Sequence, residues 1–286
     1  IKAGYVKTEI DIEKGKDFWS FKKPIKRPLP EIKNESWPVS ETDHFILAKL
    51  DSNGIIPAVD SKPETLLRRL YFDLIGLPPT PKDIRRYAAA WKKDPKIAYQ
   101  KEVEKLLSTE RFGERWGRHW LDVVRYAESS GKDINMTFPH AWRYRDYVVD
   151  SFNTDKPYNE FIVEQIAGDL LPIKNDEDWQ ENLIATGFLA IGPKNLNERD
   201  PRQFALDLAD EQIDTTTQAI LGLTVSCARC HDHKSDPIPT ADYYSLAGVF
   251  LNTKTYFGTI NAVQNRRGTK LLELPIQDKQ SVDSLS

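Results

Sequence analysis

Apolar residues recur at three- and four-residue intervals along this chain, in segments that stop at proline or glycine. Such spacing gives a helix one apolar face, whereas the period-two alternation of half-buried strands is scarce here. One segment begins at Ser40 and ends at Gly54. Another begins at Thr80, with Pro81 in the first helical position, where the missing N–H of proline has no cost. The sequence therefore predicts a mainly α, multi-helix domain.

The predicted helices occupy the middle of the chain. They begin near residues 40, 63 and 80 and then cover about 96–108, 110–128, 141–153, 158–169, 179–190, 202–225 and 240–251. Residues 1–39, rich in Pro and Lys, predict an extended N-terminal arm or linker that ends a preceding domain. Residues 40–252 form the predicted helical domain, and 253–286 a linker or the start of a following domain. Within that last part, residues 271–274 are predicted to form a short strand.

Composition narrows the class of protein. The chain is 40% hydrophobic and 29% charged, as in a folded, soluble domain, and its net charge of -3 offers nucleic acid no attraction. Without a run of about 18 apolar residues, no membrane span is expected. The chain begins at Ile1 and its single methionine is Met136. This start leads us to expect part of a longer, exported protein whose signal lies upstream.

The strongest chemical motif is Cys227-Ala228-Arg229-Cys230-His231, which matches C-x-x-C-H, the signature for covalent attachment of haem c. Two thiols three positions apart can each add to one vinyl group on a porphyrin edge. The following His231 can then place an imidazole nitrogen on the iron. The motif predicts one covalent haem c held by Cys227, Cys230 and His231. Because bacteria attach haem c outside the cytoplasm, a periplasmic or otherwise exported location is expected.

Three other interpretations of the motif stay open. The first is a zinc site whose ligands are Cys227, Cys230, His231 and His233. A structural zinc site, however, usually draws its second pair of ligands from a separate segment. A redox-active dithiol is a second alternative, but the βαβ pattern that accompanies thioredoxin-type sites is missing. The third alternative is a turn whose cysteines pack as small hydrophobic residues.

His119 is the predicted second axial ligand of the iron. Arg115, His119, Asp122 and Tyr126 fall on one face of the predicted 110–128 helix, and Asp122 could orient the imidazole. The alternative is a core histidine bonded to a carbonyl group. Four residues are weaker candidates and have other expected roles: Met136 in a polar loop, His140 at a helix entry, His44 at the surface, and His233 bonded to a haem propionate or a neighbouring carboxylate.

A polar cluster is unusually rich for a helical core. Its members are Arg125, Tyr126, Arg143, Arg145, Asp146 and Asp169. Arginines can hold haem propionates or an anionic substrate through paired hydrogen bonds, and Arg125 is the residue we assign to haem binding. Internal ion pairs between helices are the alternative.

A resemblance joins these motifs. The chain resembles, over about residues 18–250, the second domain of the planctomycete-type cytochrome c-like proteins. The matching stretches include Phe18-Trp19-Ser20-Phe21, Gly76-Leu77-Pro78-Pro79-Thr80, Glu114-Arg115-Trp116, Trp142-Arg143-Tyr144-Arg145-Asp146, Gly168-Asp169-Leu170-Leu171 and Cys227 to Asp236. The resemblance implies a large exported protein with flanking domains, in bacteria that degrade polysaccharides. It does not imply a substrate.

Two functions fit these observations, and whether the chain is an enzyme is left open. A six-coordinate iron predicts electron transfer to a redox partner or a flanking domain. A vacant iron position predicts a haem enzyme that activates peroxide or oxygen. A third class, a zinc-binding or hydrolytic carbohydrate-active module, stays possible because Asp and Glu are plentiful, although no carboxylate pair stands out.

Overall fold

A computed structural model describes residues 11–262 and 265–274, and in these ranges the chain is mainly helical. The α-helices are α1 (Ile12–Gly15), α2 (Glu41–Ser52), α3 (Pro63–Leu74), α4 (Pro81–Trp91), α5 (Pro95–Leu107), α6 (Glu110–Val123), α7 (Ala141–Asn153), α8 (Tyr158–Ala167), α9 (Asp176–Ala185), α10 (Gly187–Ala190), α11 (Pro201–Thr216) and α12 (Thr240–Leu251). Short 3-10 turns occupy Trp19–Phe21, Gly168–Leu170 and Val225–Arg229. The predicted mainly α class is confirmed.

Helix starts follow the expected capping chemistry. The Thr80 side chain accepts a hydrogen bond from the Asp83 backbone, and Pro81 occupies the first position of α4. Asp94 and Asn175 cap α5 and α9 in the same way. Helices α7 and α12 have the predicted bounds. None of the described helices is long and apolar enough to span a membrane.

Two predicted helices end earlier in the structure, and one predicted strand is not formed. Helix α6 stops at Val123 rather than near 128, because Arg125 adopts a left-handed conformation with φ 54°. The predicted 202–225 helix ends at Thr216 and continues as a π-helical turn over Thr217–Leu221, which Gly222 closes with φ 65°. The strand predicted at 271–274 is wrong, since those residues carry no regular structure.

The two ends of the chain differ in how they pack. Residues 11–39 contain only α1 and one 3-10 turn and are mostly exposed, while residues 1–10 of the predicted arm lie outside the described ranges. Residues 256–274, in contrast, lie against the helical domain, where Phe257 and Asn265 are buried. Residues 263–264 and 275–286 of the predicted following segment also lie outside the described ranges.

The apolar core has three parts. The largest contains side chains of α6, α7 and α8 together with Phe188 and Phe257. A second lies between α11, the 3-10 turn at Val225–Arg229 and α12. The third packs α3, α4 and α5 together. The C-x-x-C-H motif is therefore held by the second part, away from the α3–α5 unit.

Candidate functional site: the C-x-x-C-H turn

The 3-10 turn sorts the motif into a buried face and an exposed face. Residues three apart lie in line in a 3-10 helix. Val225 and Ala228 consequently share one face, which is buried in the core between α11 and α12. Cys227 and Cys230 share another face, and both thiols are free and exposed. The local fold thus exposes both cysteines to solvent.

Helix α11 anchors the turn through one carboxylate. Asp210 accepts a hydrogen bond from Arg229 Nη1 at 3.0 Å and one from Tyr243 Oη at 2.7 Å. Burial lowers the pKa of Arg229, but the charges of Asp210, Tyr243 and Asp207 together with the hydrogen bond to Asp210 outweigh burial, so that the pKa is raised. Burial and the bond to Asp210 raise the pKa of Tyr243. Asp210 therefore ties the turn to both α11 and α12.

Helix α12 also holds the end of the motif. Asp232 Oδ1 accepts a hydrogen bond from the backbone N–H of Thr240, the first residue of α12. Tyr244 Oη donates to the backbone carbonyl of Arg229 at 3.2 Å, and its ring is 58% exposed. This aromatic side chain leaves an apolar surface beside the cysteines.

His231 has one ring nitrogen engaged by its own loop. Its Nδ1 lies 2.7 Å from the backbone carbonyl of Asp232. Because a carbonyl oxygen only accepts, Nδ1 carries the proton in the neutral ring, and the lone pair is on Nε2. Metal-ligating histidines commonly have this arrangement, in which a carbonyl fixes the tautomer. The exposed imidazole of His231 is thus prepared to bind a metal through Nε2.

His233 has a structural role. Its Nδ1 accepts hydrogen bonds from the backbone N–H groups of Ser235 and Asp236, which leaves Nε2 as the donor to Thr224 Oγ1 at 3.0 Å. Its side chain is 8% exposed and lies 3.3 Å from the Asp236 carboxylate. The Asp236 carboxylate thus lies beside the ring, and both ring nitrogens are engaged by other groups of the loop.

The loop contacts of His233 argue against the zinc site that the sequence left open. In the described ranges, no three His, Cys, Asp or Glu side chains are grouped so that they could hold a metal ion. The set Cys227, Cys230, His231 and His233 would need His233 to give up its loop contacts. The donor set that the turn does present is two thiols and one imidazole, which fits haem c.

His119 lies on a different helix pair. It is exposed on α6, and its ring packs edge-on against Trp116 at 5.4 Å. Asp122, expected to orient it, pairs instead with Arg118 at 3.0 Å. Helix α6 packs mainly against α7, whereas the cysteine turn packs against α11 and α12. Cys227, Cys230 and His231 are all exposed on the turn, and no described contact joins His119 to them, so the assignment of these four residues to haem stays a prediction.

The weaker ligand candidates have other places in the fold. Met136 is not simply in a polar loop, since it packs against the largest core cluster. His140 is the residue at the start of α7, as predicted. His44 is half-buried in α2.

Arg125 reaches α11 rather than the turn itself. Its guanidinium pairs with Glu211, the residue after Asp210. Burial lowers the pKa of Arg125 to about 10, although the charge of Asp214 opposes the shift. In the rest of the polar cluster, Arg145 pairs with Asp146 at 2.8 Å and lies 3.5 Å from Glu128. Ion pairing within the fold accounts for these arginines, and the assignment of Arg125 to haem stays a prediction.

Sequence reasoning missed Lys194, the most unusual ionisable group near this region. It is 3% exposed, and its ammonium donates to the carbonyl groups of Ala190 and Gly192. Burial, with the charge of Arg125, lowers its pKa to about 7. No motif marks a buried lysine, because its burial comes from residues distant in sequence such as Phe138 and Phe257, whose ring centres lie 5.3 and 5.2 Å from its ammonium.

Comparison with known proteins gives one relationship. No curated protein and no solved structure matches the chain. The family model of PSCyt2, described as a protein of unknown function (DUF1549), matches residues 41–255. The match begins at the first residue of α2 and ends just after α12, and it covers more than half of the chain. The chain therefore belongs to the PSCyt2 family of proteins of unknown function.

Proposed function

We propose that this chain is an exported c-type haem domain that transfers electrons within a larger multidomain protein. The observation that carries the proposal is the arrangement of the turn. Cys227 and Cys230 share its exposed face, and His231 keeps the lone pair of Nε2 available. These are the donors that covalent haem attachment requires, on a segment held rigidly from both sides.

Each residue of the turn has a defined part in this proposal. Cys227 and Cys230 would form the two thioether bonds, and His231 would bind iron through Nε2. The Asp232 carbonyl orients the imidazole by accepting from Nδ1. Tyr244 supplies an exposed aromatic surface beside the turn. When bound, haem supplies a one-electron couple whose potential the axial ligands and surroundings set.

Rigidity of the turn favours electron transfer. Two sets of hydrogen bonds fix the backbone between the cysteines. Asp210 accepts from Arg229 and from Tyr243, and Tyr244 donates to the backbone carbonyl of Arg229. A ligand frame that does not move on a change of charge suits a carrier that must accept and release an electron. The proposal extends to membership of the planctomycete-type cytochrome c-like proteins, a periplasmic location, flanking domains or a redox protein as partners, and a link to polysaccharide metabolism.

A second candidate function is a haem enzyme with an open iron position. The observation that favours it is the location of the candidate sixth ligands. His119 is exposed on α6, and Met136 packs against the core cluster around α7. If no side chain of this chain reaches the second axial position, peroxide or oxygen could occupy it. The zinc-binding, hydrolytic alternative has no comparable support, since His233 is engaged in the loop.

Expression with a c-type cytochrome maturation system tests the proposal. We expect haem to stay with the polypeptide on a denaturing gel and to be lost in the Cys227→Ala, Cys230→Ala double variant. A single cysteine substitution should leave one thioether bond and shift the absorption band of the reduced haem. His233→Gln is the matched control, because it alters the loop without removing a proposed ligand. Wild-type protein that releases all its haem on denaturation would contradict the proposal.

A further inference from the structure

A cavity of about 540 Å³ lies away from the cysteine turn. Its walls come from the start of α7, from α9 and α10, and from two segments near residues 256–257 and 271–274. Most lining side chains are apolar, including Phe138, Ile191 and Leu271. No residue of the C-x-x-C-H motif lines it. Its volume falls within the range of cavities that bind small organic molecules, about 300–1,000 Å³.

The outer wall of this cavity is firmly attached to the domain. Thr269 Oγ1 accepts hydrogen bonds from the backbone N–H groups of Phe257 and Gly258. Leu271 packs directly on Gly258, whose φ of 69° and missing side chain allow this close approach. Arg267 ties the same segment to the carbonyl groups of Glu198 and Arg199. This wall of the cavity is therefore fixed to the helical domain by hydrogen bonds and packing.

The charged groups at the cavity favour an anion. Arg143 lines it and stacks on the ring of Trp142, with the guanidinium carbon 4.8 Å from the ring centre. Within the described residues, Arg143 forms no ion pair, in contrast to Arg145 on the same helix. His140 also lines the cavity, and Glu273 is its one acidic lining residue. A stacked guanidinium keeps its edge free to bind a carboxylate through two hydrogen bonds.

The buried amine of Lys194 adds positive charge near the cavity in its protonated form, which is only partly populated at neutral pH because its pKa is about 7. The Lys194 ammonium lies behind two lining rings, 5.3 Å from the centre of Phe138 and 5.2 Å from that of Phe257. Its hydrogen-bond acceptors are backbone carbonyls, one of them from the lining residue Ala190. No carboxylate in the described part of the chain pairs with it. Electrostatic interactions across an apolar wall are screened far less than those at the surface.

We propose that this cavity binds a small amphipathic carboxylate, whose apolar body fills the pocket and whose carboxylate is held by Arg143 at the rim. The apolar walls supply the affinity and Arg143 the preference for an anion. The site is separate from the cysteine turn and does not depend on haem.

Calorimetric titration with decanoate and with 1-decanol, which has the same chain length but no charge, tests this proposal. We expect decanoate to bind about tenfold more tightly, because a hydrogen-bonded charge contributes upward of about 1.5 kcal/mol. Arg143→Ala should abolish that preference and leave the affinity for 1-decanol unchanged. Arg145→Ala, which removes the same charge two residues away, should keep the preference. Ala190→Phe should weaken both ligands by filling the cavity.

Three results would overturn the proposal. They are failure of both probes to bind, equal affinity for the two, and an equal loss of decanoate affinity in Arg143→Ala and Arg145→Ala. Far-UV circular dichroism of each variant confirms that the fold is kept. The Cys227→Ala, Cys230→Ala double variant should bind decanoate like the wild type. Loss of haem and loss of carboxylate binding can thus be observed separately.

Discussion

Asp210 accepts a hydrogen bond from Arg229 at 3.0 Å and thereby anchors the segment between the two cysteines to helix α11. Through its other carboxylate oxygen it also accepts from Tyr243 of α12. The Asp210 side chain thus holds the exposed C-x-x-C-H turn against α11 and α12. The exposed thiols owe their placement to this partly buried contact, not to interactions of their own.

Replacing Asp210 with alanine should destabilise the protein and reduce haem attachment. The change leaves Arg229 and Tyr243 without their shared acceptor, and loss of hydrogen bonds to a charged group costs about 1.5–3 kcal/mol. Urea unfolding measures the stability, and the fraction of chains with haem measures the effect on the turn. Asp207→Ala is the control, because Asp207 is 45% exposed and lies 3.6 Å from Arg229. Its cost should stay below about 1 kcal/mol, and equal effects of the two substitutions would contradict the assigned role of Asp210.

Lys194 should make stability rise with pH above neutral. Its pKa is about 7 in the fold, against 10.5 for the ordinary side chain, so between these values the unfolded chain binds more protons. The free energy of unfolding then increases with pH, by at most about 1.4 kcal/mol per pH unit from this group. Urea unfolding of Lys194→Met at pH 7, 8 and 9 should show a flatter dependence than the wild type. The exposed Lys174 gives the control, Lys174→Met, which should keep the wild-type slope; a wild-type slope in Lys194→Met would refute the prediction.

Two glycines of α6 should differ in how much stability their replacement by alanine costs. A Cβ at Gly113 would lie 2.4 Å from the Val149 carbonyl oxygen of α7, and backbone cannot move aside easily. Gly113→Ala should therefore lower stability by roughly 2 kcal/mol, as overpacking does. A Cβ at Gly117 would meet a Val149 side-chain carbon at 3.3 Å, so the roughly 1 kcal/mol helix preference of alanine offsets the tighter contact. Thermal unfolding of both variants tests this, and equal melting temperatures would argue against such close packing of α6 and α7.

Helices could be predicted from the sequence where both their period and their ends leave local signals. The bounds of helices α7 and α12 agree with the sequence prediction, since a proline shortly before each start marks where the helix begins. The end of α6 could not be predicted, because no sequence pattern marks an arginine that adopts a left-handed conformation, as Arg125 does. The packing of residues 256–274 against the helical domain could not be predicted either. This packing depends on Thr269 and Arg267, whose partners are distant in sequence or backbone groups.

In the candidate site, too, only the residues that are close in sequence could be predicted. Cys227, Cys230 and His231 could be predicted, because their spacing alone places them on one turn. The role of Asp210 could not, since 19 residues separate it from Arg229. The helix face that His119 shares with Asp122 predicts an oriented imidazole, but Arg118 lies one turn before Asp122 and pairs with that carboxylate.

Substitution of the two histidines should have unequal effects on the haem spectrum. His231→Ala should change the absorption of the oxidised protein, because Nε2 of His231 is the proposed iron ligand. His119→Ala should leave it unchanged, since His119 is exposed on α6. A low-spin wild-type spectrum favours the electron carrier, and a high-spin one favours the open enzyme site. A shift to high spin in His119→Ala would instead restore His119 as the second axial ligand.

Peptide mass spectrometry of the exported protein tests the central claim most directly. After proteolysis, the peptide that contains Cys227 and Cys230 should carry the mass of one haem, joined through both sulfurs. The same peptide from the double cysteine variant should have the mass of its unmodified sequence. A wild-type peptide of unmodified mass, or one that carries zinc in place of haem, would contradict the account of this turn as a haem c site.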